Sequence, residues 1–157
     1  MSTHFDEQGN AHMVDVSDKV ITAREATAEG WITLGEEATA CVANGTAKKG
    51  DVLAVAQLAG IAAAKRTPEL VPLCHPLPLT GVKLILTLEG NTVHVVGRVR
   101  ATWRTGVEME ALTCVSAALL TVYDMVKGID KGPVIGPIQL VEKRGGKSGE
   151  WVRAPRP

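Results

Sequence analysis

The most regular pattern of apolar positions lies between Thr105 and Lys131. Apolar residues recur there at steps of three and four, which is the spacing of one face of an α-helix. They are Leu112, Val115, Leu119, Val122, Val126 and Ile129. No charged residue interrupts the stretch from Leu112 to Tyr123, so the pattern predicts a helix that the rest of the fold largely covers.

The opposite face of the same helix predicts a functional site. At about 100° per residue it comprises Glu110, Thr113, Ala117, Thr121 and Asp124. Because this face is small and nearly uncharged, we expect it to be covered too, and covered carboxylates are costly unless they are paired or used. Lys127 is three positions from Asp124, so the two side chains are neighbours. In a desolvated place they can exchange protons near neutral pH, although a surface ion pair fits the same spacing.

The remaining patterns predict four strands and two further helices. Stretches rich in β-branched residues predict the strands Ala23–Leu34, Val82–Glu89, Thr92–Thr102 and Pro137–Lys143. The helices are expected at Glu36–Ala43, which ends at Asn44-Gly45, and at Val52–Lys65, which Asp51 caps and Pro68 stops. A two-residue hairpin turn is expected at Gly90-Asn91, between the second and third strands. Four prolines between Thr67 and Thr80 argue against a helix or a central strand, so this stretch is predicted to be an ordered loop.

The order of these elements indicates the fold class. Strand, helices, two strands, helix and strand make up the split βαβ or ferredoxin-like arrangement, an α+β fold with helices on one face of an antiparallel sheet. We expect one domain over residues 13–151, with tails at 1–12 and 152–157. The two main helices are apolar on more than one side, which predicts association of copies through the helices and the sheet.

Composition narrows the function classes. The 157 residues are 45% apolar, and 17 Lys and Arg balance 17 Asp and Glu, so the basic excess of a nucleic-acid protein is missing. No apolar run looks long enough to span a membrane, and the polar N-terminus is not a secretory signal. The three cysteines, Cys41, Cys74 and Cys114, are interpreted as reduced thiols of a cytoplasmic protein.

Candidate chemistry outside the long helix centres on one histidine and several cations. Prolines on both sides of Leu73-Cys74-His75 fix the backbone, so His75 is either an oriented acid–base group or a hydrogen-bonded loop residue. The adjacent Cys74 and His75 lack the spacing of zinc ligands, and we predict no metal site. Lysines such as Lys49 stand near helix ends or glycine loops, which suits a small anionic substrate as well as a solvated surface. Gly146-Lys147-Ser148 lacks the rest of a P-loop.

Seven motifs occur together in the order of one known family. They are Met13-Val14-Asp15-Val16, Lys49-Gly50-Asp51-Val52, Ala63-Ala64-Lys65-Arg66, Leu73-Cys74-His75-Pro76-Leu77, Thr105-Gly106-Val107-Glu108-Met109-Glu110-Ala111-Leu112-Thr113, Tyr123-Asp124-Met125 and Gly145-Gly146-Lys147-Ser148-Gly149. From about Met13 to Trp151 the chain closely resembles the cyclic pyranopterin monophosphate synthases, the accessory protein C of molybdenum cofactor biosynthesis. Trp103 departs from the resemblance, because a small residue is expected there.

The resemblance implies an activity and an assembly. It implies a lyase that converts (8S)-3′,8-cyclo-7,8-dihydroguanosine 5′-triphosphate, supplied by a radical enzyme acting on GTP, to cyclic pyranopterin monophosphate with release of diphosphate. It also implies a homohexamer, a trimer of dimers, with the active site at a subunit interface. No tightly bound cofactor is implied, and Mg²⁺ could accompany the triphosphate. A non-catalytic ferredoxin-like module that binds a nucleotide or pterin, or a purely structural oligomer, are the alternatives.

The resemblance also implies roles for particular residues. Asp124 would be the acid–base residue, Lys127 its partner, and Lys49, expected from a neighbouring subunit, would act in proton transfer or on the phosphates. His75 would orient or protonate the substrate. The substrate would be lined by Leu73, Cys74, His75, Met109 and Glu110. Weaker candidates for anion contacts are Arg24, Lys65 and Lys147.

Overall fold

The frame of the molecule is a five-stranded antiparallel sheet, seen in a computed structural model that describes residues 4–155. The strands are β1 Thr22–Thr33, β2 Leu79–Glu89, β3 Thr92–Trp103, β4 Val134–Arg144 and β5 Trp151–Val152. Their spatial order is β2-β3-β1-β4-β5. The helices are α1 Glu36–Asn44, α2 Val52–Ala64, α3 Thr67–Leu70 and α4 Glu108–Val126. The predicted α+β, split βαβ fold is confirmed.

Buried apolar side chains alternate with more exposed ones along the central strands, and this pattern decides which face of the sheet packs against the helices. On β1 the side chains of Ala26, Ala28 and Ile32 are fully buried, and on β3 those of Val93 and Val95 are fully buried. Successive strand residues point to opposite faces, so these positions form one apolar face. The helix α4 packs on this face and α2 packs beside it. As predicted, a two-residue turn at Gly90-Asn91 joins β2 to β3.

Glycine allows α4 to lie close to its neighbours. A Cβ atom at Gly30 of β1 would come within 2.8 Å of Leu119 Cδ1 and 2.9 Å of Val115 Cγ1 on α4. A Cβ atom at Gly60 of α2 would come within 2.5 Å of Leu84 Cδ2 and 2.8 Å of the Cys114 carbonyl oxygen. Both distances are shorter than normal carbon contacts, so the sheet, α2 and α4 can pack this closely only where a side chain is absent.

The ends of α1 and α2 follow the predicted signals. Asp51 caps α2, since its Oδ1 accepts a hydrogen bond of 3.0 Å from the Ala54 amide. Gly45 ends α1 in the left-handed conformation, with φ of 64°. At the other end of α2, the Thr67 hydroxyl is buried and donates to the Ala64 carbonyl at 2.9 Å.

The prediction of an uninterrupted loop from Thr67 to Thr80 was wrong. The one-turn helix α3 occupies Thr67–Leu70, and β2 already begins at Leu79. Pro68 lies in the first turn of α3, where a backbone N–H has no intrahelical partner and its absence therefore costs little. Proline excludes the interior of a helix but not its beginning.

One expectation about α4 was also wrong. Ile129 lies beyond the end of the helix and is 44% exposed. The face opposite the apolar stripe is not evenly covered: Glu110 is 3% exposed, whereas the Asp124 side chain is 52% exposed. The segment around Cys74 encloses the first turn of α4, while the loop of Lys49 is the neighbour that contacts Asp124 at the last turn.

The helix α4 is long and apolar enough to cross a membrane by length and composition, contrary to the expectation from the sequence. In the fold it is the central core helix, because Val115, Leu119 and Val122 are fully buried. A core helix passes the same test of length and hydropathy. The outer parts of the two predicted tails, residues 1–3 and 156–157, lie outside the described residues.

Candidate active site

A carboxylate held between two ammonium groups lies at the last turn of α4. Asp124 Oδ1 is 2.7 Å from Lys127 Nζ, and its Oδ2 is 3.0 Å from Lys49 Nζ. Lys49 Nζ also donates to the Asp124 carbonyl oxygen at 3.0 Å. The structure thus brings together three of the four predicted catalytic residues. Within one chain, Lys49 contacts Asp124, and the expectation that Lys49 reaches the substrate from a neighbouring subunit stays a prediction.

Local structure explains this cluster. One turn of α4 separates Asp124 from Lys127, and their side chains meet on the helix surface. Lys49 lies in the turn before α2, where the Gly50 amide donates to the Ala47 carbonyl at 3.0 Å. Its ammonium reaches the carbonyl end of α4, where the helix dipole favours positive charge.

The two lysines set the protonation state of the cluster. Hydrogen bonds, first from Lys127 and then from Lys49, hold the pKa of Asp124 below its usual range. The hydrogen bond to Asp124 raises the pKa of Lys127. The expected proton exchange near neutral pH is therefore not favoured in the single chain, because the cluster is half-exposed and its charges stabilise each other. At neutral pH it presents a carboxylate and two ammonium groups.

All five predicted substrate-lining residues line one cavity. This cavity, the first cavity, measures about 480 Å³ and lies at the first turn of α4. Its lining includes Leu73, Cys74, His75, Met109 and Glu110. The proline-bounded segment supplies the first three and α4 supplies the other two, so residues about 35 positions apart in sequence meet on one wall.

Glu110 is the buried acid of the first cavity. Burial raises its pKa to about 7, and the neighbouring Glu108 charge adds to the shift. The pKa of the Cys74 thiol is raised by burial and by the charge of Glu110. At neutral pH, Glu110 can therefore either accept a proton from a ligand or donate one to it, which Asp124 cannot do in the single chain.

His75 is held by the segment that precedes β1. Its Nε2 lies 2.7 Å from the Val14 carbonyl oxygen. A carbonyl oxygen only accepts, so Nε2 carries the proton and a neutral ring leaves Nδ1 as an acceptor. His75 is thus a hydrogen-bonded loop residue on a cavity wall, and its role as an acid–base group stays a prediction.

A second cavity of about 920 Å³ adjoins the first and is rich in cations. Among the described residues, the two linings share Lys19, Thr105, Gly106 and Glu108. Arg24 and Lys147, two of the three weaker anion candidates, line the second cavity, but Lys65 does not. The sequence analysis missed Lys19, Arg104 and Lys143, which also line it. In the sequence, the only indication that these three residues belong to the site was that each lies close to one of the family motifs.

Unpartnered donors mark the second cavity. Within residues 4–155, the buried side-chain atoms without a hydrogen-bond partner are Thr22 Oγ1, Arg24 Nε and Arg104 Nε, and all three residues line this cavity. A buried donor without a partner is costly, so these groups favour an anionic ligand with several acceptor oxygens. Gly146, with φ of 79°, leaves room for the Arg24 guanidinium, which a Cβ atom there would overlap.

The cluster of Asp124, Lys127 and Lys49 is separated from the two cavities within one chain. Glu110 and Asp124 lie 14 positions apart on α4, which corresponds to about 21 Å at ~1.5 Å per residue. A small ligand in the first cavity cannot reach Asp124 of the same chain. Across the part of the chain that the structure describes, no three His, Cys, Asp or Glu side chains come together in a group that could hold a metal ion.

Comparison with known proteins agrees with the motifs. Residues 13–146 match the profile of the MoaC family. The chain is 58% identical over 153 residues to a cyclic pyranopterin monophosphate synthase of Heliobacterium modesticaldum, covering 96% of each chain. It is 55% identical over 152 residues to a protein of the same name from Brevibacillus brevis, covering 96% of this chain and 95% of the relative.

Proposed function

Because the chain belongs to the MoaC family, we propose that it is an enzyme that forms cyclic pyranopterin monophosphate in molybdenum cofactor biosynthesis. The observation that carries this proposal is the identity of 55–58% to two proteins of that name over almost the whole chain. At such identity, the fold and the residues of the site are expected to be shared.

The substrate that we propose is 3′,8-cyclo-7,8-dihydroguanosine 5′-triphosphate, which a radical enzyme makes from GTP. Two adjoining cavities support this choice. The first, with Met109, His75 and Glu110 on its walls, suits the guanine-derived end, and the second, with its arginines and lysines, suits the triphosphate. Rearrangement to the pyranopterin closes a cyclic phosphate and expels diphosphate, so the reaction is that of a lyase. The cations would stabilise the charge that grows on the leaving diphosphate.

We assign the proton transfers to two groups of residues. Glu110 and His75 would act on the substrate from the walls of the first cavity. Asp124 would accept or donate protons with Lys127 and Lys49 as its hydrogen-bonded partners. Binding of the substrate and exclusion of water would bring the Asp124 and Lys127 pKa values closer together, because desolvation disfavours both charged forms.

A site that uses both groups needs a second copy of the chain. About 21 Å of α4 separates them within one chain, so we propose that the Asp124 cluster of one subunit completes the cavities of another. Apolar side chains exposed on the helices support such contacts: Leu58 on α2 is 69% exposed and Leu120 on α4 is 62% exposed. We propose the homohexamer, a trimer of dimers, as the assembly.

The binding-module alternative is not favoured. A module that only binds a nucleotide or pterin has use for the two cavities but not for a carboxylate between two ammonium groups at the far end of α4. We further propose that the enzyme works in the cytoplasm with its thiols reduced and without a tightly bound cofactor. Mg²⁺ would arrive with the triphosphate.

Turnover of the cyclic triphosphate tests the proposal. We expect the purified protein to release diphosphate and a product that oxidises to a fluorescent pterin. Asp124→Asn should lower kcat by about 10²- to 10⁴-fold, the usual contribution of an acid–base group, with assembly unchanged. Asp130→Asn is the matched control, since this carboxylate follows the same helix but accepts from two backbone amides, that of Gly35 at 3.1 Å and that of Gly132 at 2.8 Å, and from no ammonium group among the described residues. A well-assembled wild type that gives no product contradicts the proposed function.

A further inference from the structure

Arg104 is one of two arginines in the second cavity whose side chains carry a buried Nε without a hydrogen-bond partner in residues 4–155. None of the ion pairs within the same residues includes Arg104. Its carbonyl oxygen accepts from Arg24 Nη2 at 3.4 Å, which places the two guanidinium groups on the same wall. Like charges placed together repel each other, so an anion that contacts both guanidinium groups would stabilise this arrangement.

The side chain that holds Arg104 is Trp103, the residue at which the sequence departs from the family resemblance. The Arg104 guanidinium lies over the Trp103 ring, 5.7 Å from its centre, which is within the range of a cation–π interaction. Trp103 is the last residue of β3 and pairs with Thr22 at the start of β1, so the sheet fixes its backbone. The ring therefore offers Arg104 a rigid surface at the edge of the cavity.

An aromatic ring holds a guanidinium differently from a carboxylate. A carboxylate would neutralise the positive charge of Arg104 and accept hydrogen bonds from two of its five N–H groups. The ring face does neither, so the charge and the N–H groups stay available to a ligand. The cavity keeps an excess of positive charge: Lys19, Arg24, Arg104, Lys143 and Lys147 face two carboxylates, Asp18 and Glu108. Asp15 is also near enough that Arg104 contributes to the lowered pKa of Asp15, after the hydrogen bonds from Ser17.

We propose that Trp103 is a positioning residue that presents Arg104 to the phosphates of the substrate. This proposal rests on the proposed function and deepens it. Arg104 contacts the terminal phosphates through N–H donors that no side chain within residues 4–155 uses. Trp103 touches no substrate atom and acts through Arg104. The pair makes the site selective for a triphosphate over a monophosphate.

Kinetics with two aromatic-site variants test the proposal. Trp103→Leu keeps apolar bulk but removes the ring face, and we expect KM to rise about 3- to 30-fold with kcat nearly unchanged. Trp103→Phe keeps a ring face and should restore most of the affinity. Trp31→Leu is the matched control, because Trp31 stacks on His94 at 4.8 Å, on the sheet face away from α4, and should leave KM as it is.

A double-mutant cycle separates positioning from general packing. Arg104→Gln should raise KM about 10- to 100-fold, since it removes a charge-assisted contact. Trp103→Leu added to Arg104→Gln should then cost nothing more, because the ring acts only through the guanidinium. Additive losses, or a KM of Trp103→Leu equal to that of the wild type, would overturn the proposal.

Measuring the binding of inorganic triphosphate, without any reaction, distinguishes the proposed function from the proposed role of Trp103. In calorimetry, inorganic triphosphate should bind the wild type and bind Trp103→Leu more weakly by the same 3- to 30-fold, while inorganic phosphate should show little difference. If the wild type makes no pterin but the triphosphate result holds, the proposed reaction fails and the Trp103–Arg104 pair stands. If the wild type makes pterin and triphosphate binds both proteins equally, the pair has no such role.

Discussion

Glu110 and Asp124 carry the same functional group on one helix, yet their pKa values are shifted in opposite directions. Burial raises the pKa of Glu110 to about 7, whereas hydrogen bonds from Lys127 and Lys49 lower that of Asp124. The sequence placed both residues on one face of a helix and predicted that both are covered. It could not show that the environment differs at the two ends, since His75 and Lys49 reach α4 from distant parts of the chain.

Glu110 should make stability depend on pH. The folded chain binds this proton more tightly than the unfolded chain, in which the pKa is near 4.5, so stability falls as pH rises through the window from 4.5 to about 7. A rise of about 2.5 in pKa, at ~1.4 kcal/mol per pKa unit, makes the full loss attributable to Glu110 about 3 kcal/mol. Glu110→Gln should remove this slope when unfolding by urea is measured from pH 5 to pH 8.

The exposed Glu36 in the first turn of α1 provides the control for this measurement. Glu36→Gln should keep the slope of the wild type. If Glu110→Gln and the wild type lose stability in parallel between pH 5 and pH 8, Glu110 is not the buried acid that we describe.

At the scale of elements, most of the secondary structure was predictable. Hydrophobic periodicity marked α4, β1, β2, β3 and most of β4, and Asp51 and Gly45 marked the ends of helices. The failures occurred at the proline-rich segment and at the end of α4. Proline is excluded from the interior of a helix, but Pro68 lies in the first turn of the short helix α3. The buried Thr67 hydroxyl, which donates to the end of α2, supports that turn.

The close approach of α2 and α4 predicts an effect of adding one methyl group at Gly60. Gly60→Ala would place Cβ against Leu84 and the Cys114 carbonyl, which costs about 1–3 kcal/mol of overpacking. The gain in helix propensity from Gly to Ala, about 1 kcal/mol, offsets only part of that cost. We expect a lower free energy of unfolding in urea.

Gly128→Ala tests whether the effect is specific to this contact. No atom lies within 4 Å of a Cβ placed at Gly128, and its backbone is not in the left-handed region. This variant should unfold at the same urea concentration as the wild type or a higher one. Equal losses of stability in Gly60→Ala and Gly128→Ala would mean that packing of α2 on α4 is not as close as described.

At the scale of the whole molecule, the residues predicted for the site lie at the two ends of α4. One chain carries the two cavities at one end and the cluster of Asp124, Lys127 and Lys49 at the other, about 21 Å apart. The motifs of the sequence contain both sets of residues, but they could not show that about 21 Å separates the two sets within one chain. Association of copies, which exposed Leu58 and Leu120 favour, would join them.

Mixing two inactive variants tests the shared site. His75→Ala lacks one half of the site and Asp124→Asn lacks the other. If each site takes its halves from two subunits, equal amounts of both variants, unfolded and reassembled together, should regain about one quarter of wild-type turnover. Random pairing makes about half of the dimers contain one copy of each variant. In such a dimer one of the two sites combines the unchanged His75 of one copy with the unchanged Asp124 of the other.

Reassembly of each variant alone provides the baseline, and reassembled wild type gives the full value. Turnover of the mixture that stays at the level of the separate variants would show that both halves act within one chain. In that case a movement of α4 or of its neighbours would have to bring Asp124 to the first cavity.

The sequence by itself determined most of the elements, the fold class and many of the residues that line the two cavities, because periodicity, caps and motifs are local properties of a chain. Only the tertiary structure decided which residues share a cavity, that Lys49 and Asp124 meet within one chain, and that Arg104 lies on Trp103 beside Arg24. It also decided the pKa values, since these depend on burial and on charges from distant segments. Long-range contacts and solvent exposure arise only when the elements pack.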